Sequence, residues 1–235
     1  MGTLMGSGVL MLWLDVEPEL DRETDGWYID EHMPERVDVG GYLRARRYSA
    51  IEGTPAYLTL FEAETPSSLA SDGYLHLVKR ISDQSQRIRA GFSNVVRNTF
   101  AVRQSRGRGV GVVVASLRMT PRDAGGADAA AAAIDVQVPR WLRRHGVVGV
   151  HWLQAAPAVR ARMDAVREVG QSDASADYVL LIEATRVSDV QDMRCEALST
   201  GVLEQYGFAE QSFAVYSLLY EVSALDGETM LGKRR

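Results

Sequence analysis

A repeat at a fixed offset constrains this chain more than any other feature. Pro34 and Pro139, Gly41 and Gly146, and Arg46 and His151 are each 105 residues apart. Residues 57–63 read Tyr, Leu, Thr, Leu, Phe, Glu, Ala, and residues 178–184 read Tyr, Val, Leu, Leu, Ile, Glu, Ala, at an offset of 121. Two copies of one folding unit explain both matches. The change of offset places 16 extra residues in the second copy, within the polar segment 155–176.

Residues 9–16 are apolar at nearly every position and read as a strand buried on both faces. Residues 21–39 read as a helix with acidic groups early, where the helix dipole favours them, and Pro34 is expected to break or kink it. Gly40 and Gly41 end that element. Residues 42–51 form a second strand, the 52–55 turn leads to a third at 56–63, a helix broken around Gly73 fills 67–89, and a fourth strand covers 95–104. The second copy repeats the order with strands at 110–119, 147–154, 177–184 and 213–222 and helices at 127–144 and 187–203. This β-α-β-β-α-β order is the ferredoxin-like unit. Each four-stranded sheet leaves one face bare of its own helices, and that face must be buried. Two bare faces packed together make an eight-stranded barrel. The expected class is therefore α+β: two tandem ferredoxin-like units whose antiparallel sheets form an α/β barrel. The first unit is expected at 1–105, the second at 106–224 with an insert at 155–176, and a loose tail at 225–235. Arg106, Gly107, Arg108 and Gly109 read as the linker.

The chain has 235 residues, 46% hydrophobic and 24% charged, enough to build a core without disulfide or metal staples. The lone Cys195 excludes a disulfide framework and a cysteine-rich zinc site. A net charge of -5 argues against nucleic acid as a partner. No apolar run approaches the ~20 residues of a membrane span, and residues 1–8 lack the pattern of a signal peptide. A soluble, cytoplasmic protein is expected.

Trp27, Tyr28, Glu31, His32, Met33, Pro34, Glu35 and Arg36, followed by Gly40, Gly41, Arg44, Ala45, Arg46, Arg47 and Tyr48, form the chemically richest stretch. This pattern resembles the dimeric α/β-barrel superfamily, and within it the branch named after ethyl tert-butyl ether degradation. The resemblance covers both halves of the chain. It implies an enzyme of small, often aromatic, catabolic compounds working without metal or nucleotide. The second copy departs from the pattern, since Gln137 stands at the place of His32.

His32 is the first candidate for proton transfer, because imidazole titrates near neutrality. Tyr28 lies one helical turn earlier on the same face. Arg44, Arg46 and Tyr48 alternate and share one strand face, with Arg47 on the other. If the shared face looks into the barrel, its arginines need anionic partners. A substrate carboxylate or phenolate serves for Arg46; Glu62, Asp15 or Glu183 serve equally as internal partners. His151 is a second acid or base or a satisfied core histidine. Asp15 shares a face with Trp13 and is a base or an ion-pair partner. Trp27 and Trp152 are core residues by default and stack on an aromatic ligand in the functional reading. Thus Tyr28, His32 and Arg46 are the candidate catalytic residues, and Asp15, Trp27, Tyr48, His151 and Trp152 the candidate substrate contacts. The four histidines have no metal-ligand spacing, and no phosphate-binding glycine loop, dinucleotide fingerprint or nucleophile elbow is present.

These residues and the resemblance together lead to an expected cofactor-independent lyase with a small aromatic substrate, in its sharpest form releasing formaldehyde from a lignin-derived phenolic dimer. Neither membrane nor nucleic acid is expected as a partner, and a homodimer is one expected assembly. An isomerase or dehydratase working through an enolate, a haem-linked or oxygen-using enzyme, and a non-catalytic binding module are the alternatives.

Overall fold

A computed structural model describes residues 4–166 and 173–224. The 225–235 tail and residues 167–172 of the expected insert lie outside the described residues. The first half of the chain supplies strands β1 (Gly8–Val16), β2 (Tyr42–Glu52), β3 (Tyr57–Ala63) and β4 (Phe92–Gly107). The second supplies β5 (Val113–Pro121), β6 (Val147–Ala155), β7 (Tyr178–Ala184) and β8 (Phe208–Ser223). They close into one barrel in the order β1-β3-β2-β8-β5-β7-β6-β4, and every pair between neighbours is antiparallel. Each half keeps the ferredoxin-like order within its own four strands. The halves join where β2 pairs with β8 and where β4 pairs with β6. Closure removes sheet edges, which would otherwise invite association. It occurs within one chain, so no second copy is needed to bury these faces.

The long strands β4 and β8 make this closure possible. The first part of β4 pairs with β1 and its last part, Phe100 to Gly107, pairs with β6. Residues 106 and 107, read from sequence as linker, are therefore strand: Arg106 lies opposite Val150 and Gly107 opposite Gly149. Gly41 and Gly146, the matched pair of the repeat, both have positive φ, at 80° and 72°. Each reverses the chain into the second strand of its copy, a conformation that glycine adopts without a Cβ clash.

Helices cover the outside. In the first half they are α1 (Asp21–Trp27), a π-helical turn (Tyr28–His32), α2 (Met33–Val37), α3 (Asp72–Leu77) and α4 (Asp83–Ala90). In the second they are α5 (Ala127–Trp141), α6 (Pro157–Asp164), α7 (Val187–Glu196) and α8 (Thr200–Gln205). Pro34 does not break its helix. It enters at the start of α2, directly after the π-helical turn. Proline has no N–H and crowds the carbonyl four residues back; Met33 N–H bonds Tyr28 O, five residues back, just ahead of it. The helix expected at 187–203 divides into α7 and α8. The one expected at 67–89 divides twice: at the extended Ser71, close to the expected break around Gly73, and again around 78–82.

Three cores result. One lies inside the barrel, around Met11, Trp13, Leu60, Phe100, Leu181 and Tyr216. The other two lie between the sheet and the helices of each half, around Trp27, Tyr28 and Phe61 in the first and Ile134, Trp152 and Phe208 in the second.

One end of the interior holds a buried ion network related by the repeat. Arg46 Nη1 is 2.7 Å from Glu183 Oε1, and its Nη2 is 2.9 Å from Glu62 Oε1. Arg44 also binds Glu62, and His151 Nε2 lies 3.1 Å from Glu183. The remaining carboxylate oxygens accept the backbone N–H groups of Met5 and Gly111. Burial by itself would raise the Glu183 pKa, but the His151 hydrogen bond and Arg46 outweigh it and hold the carboxyl at about 2. Removing one partner from such a network leaves a buried charge unmatched. Arg46→Met is therefore expected to lower unfolding stability by about 3–5 kcal/mol, read from urea denaturation at neutral pH. A loss below about 1 kcal/mol, as for a surface pair, would contradict it. Because the folded pKa of Glu183 lies below its ordinary value, its share of stability is present above pH ~4.5 and is lost as pH falls toward 2.

Candidate functional site

The first half's helix–sheet layer holds polar groups that its packing does not satisfy. Tyr28 and His32 open and close the π-helical turn, and π-turns of this kind recur at functional sites. Their rings are 4.7 Å apart, and the His32 ring is 4.1 Å from that of Trp27. Arg47 points out of the barrel into this layer. Its guanidinium carbon lies 3.9 Å from the Tyr28 ring centroid and 4.3 Å from that of Tyr57. Its Nε donates to Asp25 Oδ1 at 3.0 Å. Tyr220 of β8 stands opposite Arg47 across the strand pair and packs against the same core. Thr24 Oγ1, Tyr28 OH, His32 Nδ1, Arg47 Nη2 and Tyr220 OH are all buried with no hydrogen-bond partner among the described residues. Buried polar atoms are rarely left so, and here five lie in one layer.

Anchors hold the turn in place. Glu31 accepts hydrogen bonds from Ser82 Oγ and Ser85 Oγ, at and just inside the N-terminus of α4, and Trp27 Nε1 donates to Ser85 Oγ at 3.0 Å. Arg36 Nη1 donates to His32 O at 2.7 Å. The layer is rich in cations: Arg36, Arg47 and Arg97 are all buried. Arg97 pairs with Asp164 of α6, and Met163 beside it is fully buried in the first half's core. The inserted α6 thus belongs to the second copy in sequence but covers the first copy's layer. Burial, then the charges of Arg36, Arg89 and Arg47, hold His32 well below the usual imidazole range, so it is neutral at pH 7.

The structure does not bring the candidate residues into one place. Trp27, Tyr28 and His32 form the cluster just described. Arg46 and Tyr48 face the barrel interior, where Arg46 is engaged by two glutamates. His151 lies in the same interior network, with Nδ1 2.9 Å from Ser105 Oγ. Trp152 points outward on the second half and stacks on Tyr178, with ring centroids 5.1 Å apart. Asp15 sits at the other barrel end, accepting from Ala56 N–H and Asn94 Nδ2. The cation beside Tyr28 is Arg47, not Arg46. Its signal lies in the alternation: it shares a strand face with Ala45, the face that the helices cover. Tyr220 carries no signal in the sequence, because its arrival depends on β8 crossing from one half to the other.

The second copy lacks this chemistry. Trp152 stands where Arg47 does, and Gln104 lies opposite Trp152 as Tyr220 lies opposite Arg47. Gln137 replaces His32 and Ala133 replaces Tyr28. The corresponding layer is filled by Trp152, Tyr178 and Phe208.

No protein-family model matches the chain, and no curated protein matches it by sequence. Solved structures do resemble it. An anthrone oxidase-like protein superimposes with a TM-score of 0.61 at 13% identity, covering 93% of each chain. A Fusobacterium nucleatum protein named as a candidate monooxygenase gives 0.58 at 9% identity, covering 93% of this chain and 95% of that one. A haem-binding protein from Thermus thermophilus gives 0.53 at 11% identity, covering 92% of each. At such identities the likeness establishes the fold, a ferredoxin-like α/β architecture over nearly the whole chain. Among the described residues no helix is long and apolar enough to cross a membrane, and no cluster of side chains suits a metal ion.

The pH behaviour of His32 follows from its burial. Its folded pKa is lowered, so below pH ~6.5 the unfolded chain takes up a proton that the folded one refuses. Acidification should therefore destabilise the protein through this residue, by at most about 1.4 kcal/mol per pH unit. His32→Gln should flatten the stability profile between pH 6.5 and 5 in urea titrations. An unchanged slope would mean that His32 titrates normally.

Proposed function

We propose that the chain is an enzyme of small aromatic compounds that works by proton transfer in the first half's helix–sheet layer, without a cofactor. The observation that supports this most is the convergence of a neutral histidine, two unpartnered phenols and a partly unpartnered arginine in one buried layer. His32 is the base. Its neutral imidazole accepts a proton from a hydroxyl or activated carbon of the substrate. Arg47 is the counter-charge for the anion that forms, a phenolate or enolate, and its field is strong because the site is buried. Tyr28 and Tyr220 supply hydroxyl donors to the same anion, and Trp27 supplies a ring face. Access requires the helical segment bearing Tyr28 and His32, or the covering α6, to part from the sheet, since Tyr28 and Arg47 are fully buried.

The sharpest form of this reading is a lyase of the branch named after ethyl tert-butyl ether degradation, releasing formaldehyde from a phenolic dimer. His32 takes the proton of a primary alcohol. The phenol first expels a benzylic oxygen substituent as water or phenol to become a quinone methide; the carbinol carbon then leaves as formaldehyde, the electron pair of the breaking C–C bond forms the side-chain alkene, and the ring returns to the phenolate facing Arg47. An isomerase or dehydratase acting through an enolate uses the same base and cation. The names of the fold neighbours favour a second reading, in which the substrate anion is attacked by dioxygen. A haem does not fit these residues. His32 is packed against two rings, and His151 has both nitrogens engaged by Ser105 and Glu183.

The test is turnover of a panel of phenolic, hydroxymethyl-bearing and enolisable aromatic compounds, with formaldehyde and dissolved oxygen both measured. Formaldehyde release under nitrogen supports the lyase, and oxygen uptake supports the oxygenase. His32→Gln is expected to lower kcat by roughly 10²–10⁴-fold. Arg47→Met should lower kcat/KM most for substrates that become anionic. Full turnover by His32→Gln would remove the histidine from the mechanism.

A further inference from the structure

The barrel end opposite the ion network carries a second, independent feature. A hollow of about 590 Å³ opens there, walled by the Thr54 and Pro55 turn, by Asn94 and Val96 of β4, and by Arg118 and Phe213. The hollow is wide and largely open to solvent. None of the residues of the proposed proton-transfer layer lines it.

Arg118 distinguishes this hollow from a packing defect. It shares the inward face of β5 with Val114 and Ser116, and its guanidinium carbon lies 5.2 Å from the Trp13 ring. Trp13 and Arg118 are themselves a pair of the repeat, 105 residues apart. The interior arginines at the other end, Arg44 and Arg46, are both matched by glutamate. No carboxylate among the described residues pairs with Arg118. Burial depresses its hold on its proton, and among the described residues Tyr216 acts in the other direction. The nearby Asp15 is occupied by Ala56 N–H and Asn94 Nδ2, and Tyr216 OH donates to Pro55 O. A half-buried guanidinium turned inward, with no carboxylate beside it, keeps its N–H fork available to an anion from solvent.

We propose that this barrel mouth binds a small monocarboxylate with a planar body. The carboxylate meets the guanidinium fork of Arg118, the geometry that a single arginine matches best. One unmatched cation suits one negative charge and does not suit a phosphate dianion. The planar body lies against the apolar wall of Pro55, Val96 and Phe213.

Benzoate is the probe. Titrated into the intact chain and followed by amide chemical shifts, it should saturate at millimolar concentration or below and shift residues 53–54, 94–96 and 211–213. Benzyl alcohol, with the same ring and no charge, should not saturate over that range. Arg118→Gln is expected to weaken benzoate binding about 10-fold or more, as loss of a charge-assisted pair does, with Arg118→Lys between it and the unaltered chain. Arg47→Met, in the other layer, should leave the affinity unchanged. The proposal is overturned if benzoate fails to saturate the unaltered chain, if the shifts map to the helix layer, or if a folded Arg118→Gln binds benzoate equally well. Should Arg118→Gln not fold, weakened binding by Arg118→Lys together with shifts at the barrel mouth supports the proposal, and unweakened binding or shifts elsewhere overturns it.

Discussion

Arg46 holding Glu62 on one side and Glu183 on the other is the contact on which the rest depends. The two glutamates belong to matched strands of the two copies, 121 residues apart. One guanidinium spanning both ties the halves together through the middle of the barrel. Glu62 and Glu183 also accept the backbone N–H groups of Met5 and Gly111, which precede the first strand of each copy. The ion network therefore sets where each first strand enters the sheet. Register matters here because a one-residue slip would turn Trp13 and Met11 out of the interior. Such a buried network is weak evidence for net stability, since apolar residues of similar volume often do as well. Its value lies in specifying one way of closing the barrel.

With that end of the interior used for joining the halves, the proposed proton-transfer groups lie on the outside of the sheet. The same strand carries both roles: Arg46 turns inward to the glutamates and Arg47 turns outward to Tyr28. The repeat then allows the two outer layers to diverge. In the second copy Trp152 takes the place of Arg47 and stacks on Tyr178, giving a layer filled by rings, in which Trp152 Nε1 and Gln104 Oε1 also lack partners among the described residues but no histidine or tyrosine hydroxyl does. In the first copy Arg47 lies over Tyr57, the counterpart of Tyr178, and leaves an N–H without a partner.

Much of the fold is legible in the sequence because it rests on local rules. Apolar runs of strand length, Gly41 and Gly146 at the turns, and the matched third strands make the β-α-β-β-α-β order readable twice. The lengths of β4 and β8 are not readable. Their ends pair with the opposite half, and nothing local marks residues such as Arg106 as strand. The same limit governs the site. Alternation separates Arg46 from Arg47, but strand pattern alone does not say which face meets the helices, since both faces of this sheet are buried. The polar character of His151, the repeat partner of Arg46, points to Arg46 as the site cation. That partnership is real, and it belongs to the ion network.

Pro34 shows how one residue links these levels. A proline in the middle of a helix normally ends it, yet the chain from Asp21 to Val37 stays helical because the preceding turn widens. Widening exchanges a regular backbone ladder for one with a looser turn between Tyr28 and His32, two of the residues whose side-chain polar atoms are left without partners among the described residues. Pro139 repeats the position of Pro34 in α5 without such a turn, since that helix runs unbroken from Ala127 to Trp141. Proline by itself is therefore not the cause. What differs is the load on the face: α5 buries Ala131, Ile134 and Val138 there, whereas the first copy must fit Trp27, Tyr28, His32 and Met33 against Arg47 and Phe61. The bulk of those rings and the proline together favour the wider turn.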